Sequence, residues 1–255
     1  MKFERDLEII DSVRLNERHF LLKLKCDEGL SEIKAGQFVE IRIDEAGILL
    51  RRPISINYID EQRKEMWLMI QEVGRGTKKM GQLKVGEKLN IVYPLGNGFM
   101  IANESGSKCP LLVGGGVGVA PILYLAKKWS ERGIRPTVLL GARRSEDLLE
   151  YDLFRQYGDV FVTTEDGSEG EKGFVTQHSV LKKRDFDLVC CCGPTPMMKA
   201  MAKWAKEKNI ECKVSLENKM ACGLGACLCC VEETNEGNVR VCVDGPVFDT
   251  RDLKW

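Results

Sequence analysis

Leu111-Leu112-Val113-Gly114-Gly115-Gly116-Val117-Gly118-Val119-Ala120-Pro121 is the stretch that decides the fold class. The apolar triplet reads as a short buried strand, and the glycines that follow read as a turn. From 121 to 132, Ile122, Leu125, Ala126 and Trp129 recur at helical spacing. A glycine turn between a strand and a helix lets a pyrophosphate approach the backbone at the positive end of the helix. It is not the strict G-x-G-x-x-G fingerprint, and taken alone it is weak evidence for a nucleotide. Residues 109–126 also carry no charge and so mimic a membrane span. Pro110, Pro121 and the four glycines within them favour strand, turn and helix instead.

Working outward, the alternation continues. Residues 136–141 and 159–163 read as apolar strands, with an amphipathic helix over 145–157 between them. Residues 186–191 and 196–208 repeat strand then helix, joined by the turn Cys192-Gly193-Pro194-Thr195-Pro196. This rhythm predicts a doubly wound parallel α/β domain over residues 101–210. Residues 1–100 differ: short, partly alternating runs at 20–25, 37–43, 51–58, 66–71 and 88–92 are divided by turns such as Lys34-Ala35-Gly36. Strands at that spacing without helical patterns predict an antiparallel β-barrel or sandwich. Residues 211–255 form a third, small segment rich in cysteine and glycine. The expected class is therefore multi-domain, β plus α/β.

Composition narrows the function. Lys plus Arg number 38 and Asp plus Glu number 38, so the net charge is zero. Nucleic-acid grooves and binders of anionic membranes need a basic excess, so neither is expected as a partner. The segment Met1-Lys2-Phe3-Glu4-Arg5-Asp6 is too charged for a signal peptide. Of 11 cysteines only Cys26 and Cys109 precede residue 190. Thiols clustered in this way, in a chain that reads as cytoplasmic, suggest metal or redox work rather than a disulfide framework.

Cys222-Gly223-Leu224-Gly225-Ala226-Cys227-Leu228-Cys229-Cys230, followed by Cys242, contains C-x4-C-x2-C and a later cysteine, the plant-type 2Fe-2S spacing. Gly223 and Gly225 permit the positive φ angles that a loop closing on a cluster needs. The rival reading is a structural zinc site, whose ligand pairs usually lie two to four residues apart. Cys229 is one thiol too many, and its side chain is expected to point away from those of Cys227 and Cys230. The only histidines, His19 and His178, lie far from this segment and give a Rieske centre or haem almost no ligand supply. In the barrel region, Arg51-Arg52-Pro53-Ile54-Ser55 and Gly74-Arg75-Gly76-Thr77 together suit a pyrophosphate clamp of guanidinium and glycine-loop amides.

Arg52-Pro53-Ile54-Ser55, the Gly76-Thr77 turn, residues 114–121 and Cys192-Gly193-Pro194 occur in the order of the ferredoxin–NADP reductase superfamily. With the added thiol loop, the chain resembles the electron-transfer subunits of NAD-dependent (type B) dihydroorotate dehydrogenases over essentially its whole length. The resemblance implies FAD bound by Arg52, Pro53, Ile54, Ser55, Met69, Ile70, Gln71, Gly76 and Thr77. It implies NAD(H), as substrate, at Gly114, Gly115, Gly116, Gly118, Cys192, Gly193 and Pro194, and a 2Fe-2S cluster on Cys222, Cys227, Cys230 and Cys242. It also implies an FMN-containing dihydroorotate dehydrogenase catalytic subunit as partner, two copies of each, in pyrimidine biosynthesis. No side-chain acid, base or nucleophile is needed, because the cofactors carry the chemistry.

Two alternatives stay open. One is the reductase subunit of an NADH-dependent ferredoxin:NADP oxidoreductase or a sulfide dehydrogenase. The other is a zinc-stabilised binding module with structural glycine turns. Arg143 and Arg144, after the second strand of the nucleotide domain, leave NADP open beside NAD.

Overall fold

The computed structural model describes residues 1–101 and 106–255, with Ser31 described by its backbone alone. Two compact units emerge. The first comprises residues 1–98, 217–233 and 237–246; the second comprises 99–216, 234–236 and 247–255.

In the first unit, β1 (Phe3–Arg14), β2 (His19–Lys25), β3 (Phe38–Ile41), β4 (Arg52–Asp60), β5 (Glu65–Gln71) and β6 (Lys88–Leu95) close an antiparallel barrel in the order β1-β2-β5-β4-β3-β6. The short helix α1 (Arg75–Met80) follows β5. β1 was not anticipated from sequence: Glu4, Arg5, Asp6 and Glu8 mask the alternation of its buried Leu7 and Ile9. It closes the barrel by pairing with β6 through residues 3–8 and with β2 through 9–14, with a bulge between Ile9 and Asp11. A bulge bends and twists a strand, which closure requires. Ile9, Leu22, Leu24, Ile41, Ile56, Leu68 and Ile91 are fully buried in the first unit's core.

The second unit contains β7 (Pro110–Gly115), α2 (Val119–Ser130), β8 (Thr137–Ala142), α3 (Tyr151–Tyr157), β9 (Asp159–Thr164), β10 (Glu171–Lys172), α4 (Val180–Lys183), β11 (Leu188–Cys192), α5 (Thr195–Glu207) and β12 (Glu211–Ser215). The sheet order is β10-β9-β8-β7-β11-β12-β15, where β15 (Val247–Asp249) is the antiparallel edge on β12. Every residue of β7 and β11 is buried, as expected of parallel strands covered on both faces. Residues 109–126 are thus strand, turn and helix, and no helix among the described residues is long and apolar enough to cross a membrane.

One expected helix is broken. Instead of a continuous helix over 145–157, a single 3-10 turn at Ser145–Asp147 precedes α3. Leu148 turns extended and Glu150 is left-handed at φ 54°, which lets Leu149 enter the core while Glu146 and Asp147 stay beside Arg144.

Residues 211–255 are shared between the two units rather than forming a third compact one. Between β12 and β15 the chain runs through the hairpin β13 (Val231–Thr234) and β14 (Gly237–Arg240). The Asn97 side chain donates to the carbonyls of Val243 (2.9 Å) and Asp244 (3.1 Å), tying the cysteine segment to the end of β6.

Candidate functional site

The barrel opens on one side. β4 pairs with β5 only from Ile56↔Leu68 to Asp60↔Glu65. Before that point Arg52 to Ser55 pair with β3, while Met69, Ile70 and Gln71 pair with β2. The two strands therefore part where Arg52, Pro53, Ile54 and Ser55 stand opposite Met69, Ile70 and Gln71. Met69 and Ile70 bury their side chains, so what they offer across the gap is backbone. Beside it, a β-carbon built on Gly76 would stand 2.8 Å from Nε of Arg52, so the guanidinium lies directly against the start of α1. Arg52 Nη1 donates to the carbonyl of Leu50 at 2.6 Å, which fixes that orientation. The Thr77 hydroxyl accepts from the amides of Val73 (2.9 Å) and Gly74 (3.1 Å) and so locks the turn. Arg51 plays another part: it binds Glu4 and the Asn90 side chain, each at 2.6 Å.

In the second unit the chain leaves β7 one way to β8 and β9 and the other way to β11 and β12. Open α/β sheets bind ligands at such a switch point, beyond the carboxyl ends of the strands. Gly114 and Cys192 are register partners there, and the loops beyond them touch. A β-carbon on Gly118 would stand 2.5 Å from both Cα and N of Gly193. Gly115, Gly116 and Pro194 line the same strand ends, and α2 begins immediately after Gly118. Nearby, Arg144 is engaged by Glu146 at 3.3 Å and Asp147 at 3.7 Å.

The thiol loop has Gly223 and Gly225 at φ 66° and 83°. Cys230 and Cys242 are buried, Cys222 is half-buried, and Cys227 and Cys229 are exposed. Among the described residues no three metal-ligating side chains are already closed on one point. The four spaced thiols lie as two pairs, Cys222 with Cys227 and Cys230 with Cys242, and Cys222 also acts electrostatically on Cys242. Burial opposes ionisation of Cys222, yet the amides of Leu224, Cys227 and Ala226 together with the Cys227 thiol pull it down to about 6. Burial first, and then the Cys230 contact, push Cys242 up to about 12, with the Gly225 amide acting against them. The Cys242 amide lies 3.4 Å from the Cys230 sulfur. Amides from one loop thus converge on several sulfurs, an arrangement that suits a sulfur-rich anionic group.

Glu40 was not anticipated. It is 1% exposed on β3 and next to the loop, with burial pushing its carboxyl up to about 7. The available signal was a carboxylate inside the otherwise apolar run Phe38-Val39-Glu40-Ile41.

Comparison with known proteins agrees with this geometry. The family model for the iron-sulfur cluster binding domain of dihydroorotate dehydrogenase B matches residues 217–254, and that for the oxidoreductase NAD-binding domain matches 112–203. The dihydroorotate dehydrogenase B (NAD(+)) electron transfer subunit of Fusobacterium nucleatum is 38% identical, over 100% of this chain and 99% of its own length. The chain belongs to that family. The subunit of the same description from Bacillus velezensis is 37% identical, over 97% of each chain. A solved structure described as an NADH-dependent reduced ferredoxin-NADP oxidoreductase has a TM-score of 0.87 and 33% identity, covering 98% of this chain and 90% of the other. The cytochrome b5 reductase domain of Ulva prolifera nitrate reductase, at TM-score 0.65 and 17% identity, covers 82% of this chain and shares the fold. As a member of an electron transfer subunit family, the chain works with a catalytic partner.

Proposed function

We propose that the chain passes electrons from a dihydroorotate-oxidising, FMN-containing catalytic subunit to NAD+, in the cytoplasm and in an assembly with two copies of each subunit. The observation that carries this reading is one chain holding a parted barrel seam beside Arg52, a glycine-lined switch point, and a loop whose amides converge on spaced thiols. Nicotinamide exchanges hydride, a cluster exchanges single electrons and a flavin does both, so the three groups together convert between one- and two-electron carriers.

The chain's own residues do the holding. Arg52 would hold the flavin pyrophosphate, and the backbone of Met69, Ile70 and Gln71 would bind the flavin at the seam, with Pro53, Ile54 and Ser55 opposite. Gly76 and Thr77 keep the turn low enough for phosphate to approach. Gly114, Gly115, Gly116, Gly118, Cys192, Gly193 and Pro194 shape the NAD(H) crevice. Arg144 is paired with two carboxylates while Arg143 is exposed beside it, and the NAD(+)-dependent relatives favour NAD over NADP. Cys222, Cys227, Cys230 and Cys242 ligate the cluster, leaving Cys229 free. Leu224 and Leu228, 51% and 62% exposed, offer apolar surface to the partner beside it.

The test is reconstitution. The purified chain should reduce an artificial acceptor with NADH but leave dihydroorotate untouched. Adding the FMN subunit should create NAD+-dependent dihydroorotate oxidation. Oxidation by the chain alone would overturn the reading. A second reading, a subunit of an NADH-dependent ferredoxin–NADP oxidoreductase, is favoured by the 33% identity and TM-score of 0.87 to that enzyme's structure. The subunit that co-purifies from the native cell separates the two.

A further inference from the structure

All four residues of β3 are buried, and one of them is Glu40. Neither of its carboxyl oxygens has a hydrogen-bond partner among the described residues. A buried polar group without partners is costly, and where it persists a redox or catalytic role is one recognised explanation.

Its position is specific. Along the backbone Glu40 pairs with Pro53 of β4, inside the Arg52 to Ser55 run at the parted seam. Its side chain reaches the other way: a β-carbon built on Gly223 would stand 2.6 Å from Cγ and 2.7 Å from Oε1 of Glu40. Gly223 directly follows Cys222 and is left-handed, so no larger residue fits there without moving Glu40 or the loop. The charged or titratable groups acting on the carboxyl are Arg51, Cys222 and Arg52. Arg51 hydrogen-bonds the Glu40 carbonyl at 3.2 Å and leaves the carboxyl unpaired. One side chain thus joins the strand assigned to the flavin with the loop assigned to the cluster.

We propose that the Glu40 carboxylate sets the reduction potential of the iron–sulfur cluster on the thiol loop. This rests on the assignment of a cluster to Cys222, Cys227, Cys230 and Cys242. One-electron reduction adds one negative charge to the cluster, and the Glu40 carboxylate packed against the loop opposes it in its ionised form. No bond changes at Glu40; the residue acts through its field alone. At an effective dielectric of about 20, removing a unit charge about 12 Å away changes the reduced-to-oxidised ratio about tenfold, and a closer charge changes it more. For a one-electron couple tenfold corresponds to about 59 mV.

The experiment is a redox titration of the purified chain at about pH 9, where Glu40 is ionised, following the cluster by electron paramagnetic resonance and the flavin by absorbance. Wild type is compared with Glu40→Gln, which keeps the shape, and Glu40→Leu, which removes polarity. Iron, acid-labile sulfide and flavin are counted in every sample. Both variants are expected to keep the cluster and to raise its potential by a similar amount, moving it further than that of the flavin. Equal cluster potentials in wild type and Glu40→Gln would overturn the inference. So would a shift in Glu40→Leu alone, which assigns the effect to packing, or loss of the cluster in Glu40→Gln with flavin retained, which makes Glu40 a structural support. Wild-type protein without iron would instead overturn the cluster assignment itself.

Discussion

Gly118 and Gly193 lie so close that a single methyl group on Gly118 would sit 2.5 Å from the α-carbon of Gly193. The turn after β7 and the turn after β11 are thereby pressed together at the point where the sheet reverses its winding. The glycines in these two turns do more than allow a ligand to approach; they let the two halves of the crevice meet.

Gly118→Ala is therefore expected to force the loops apart, because the obstacle is backbone and cannot change rotamer. Overpacking of this kind costs about 1–3 kcal/mol. The affinity for NADH should fall while iron and flavin content, held by the other unit, stay at wild-type levels. Calorimetric titration with NADH and cofactor analysis of the same sample check both halves; unchanged NADH affinity would remove the crevice from the nucleotide site.

For the thiol loop, serine at Cys222, Cys227, Cys230 or Cys242 should abolish or badly weaken cluster binding, since the harder oxygen is a poorer ligand for iron in such clusters than thiolate. Cys229→Ser should keep it. Iron and acid-labile sulfide in the five variants decide the set. A full cluster in Cys242→Ser with loss in Cys229→Ser would reassign the fourth ligand.

The adjacent arginines should separate cleanly. Arg52→Ala removes a guanidinium held beside Gly76 and should weaken flavin binding by about 1.5–3 kcal/mol, or roughly one to two decades in dissociation constant. Arg51→Ala breaks bonds to Glu4, Asn90 and the Glu40 carbonyl, so it should lower the stability of the barrel more than its flavin affinity. Flavin titration and urea denaturation of both variants give the comparison; equal flavin affinity in wild type and Arg52→Ala would refute the clamp.

Asp187 gives the pH dependence. Burial acts to raise its pKa, but the Ser107 hydroxyl and the amides of Lys108 (2.7 Å) and Cys109 (3.1 Å) bind the carboxylate and hold it below its usual range. A lowered folded-state value means that the stabilisation is present at neutral pH and is lost as pH falls through that value, below about pH 4. Asp187 is itself exposed, so solvent screens the effect, and Asp187→Asn should cost the second unit about 0.5–1 kcal/mol at pH 7 and progressively less under acid conditions. Urea midpoints measured for both proteins across that range test the sign; a gap that widens in acid would reverse it.

Much of the architecture is written in local order. The strand, glycine turn and helix at 111–132 and the alternation that follows declare a parallel sheet, because periodicity and turn chemistry depend on residues a few positions apart. The C-x4-C-x2-C spacing and the Arg52 to Ser55 run are likewise local patterns, and they named candidate residues without any coordinates. β1 escaped because its charged outer face hides the two residues that face the core. The break at Leu148 to Glu150 escaped because burying Leu149 outweighed the helical pattern around it.

What only the tertiary structure decided is which distant residues meet. The parting of β4 from β5 depends on β3 and β2 claiming their ends, and the contact of Gly118 with Gly193 joins segments 75 positions apart. Glu40 against Gly223 spans most of the chain, and no local pattern couples them. Such approaches arise from closing a barrel and winding a sheet, where burial of the whole core chooses the neighbours. Sequence therefore determined the elements and the kinds of chemistry available, and packing determined how they are brought together.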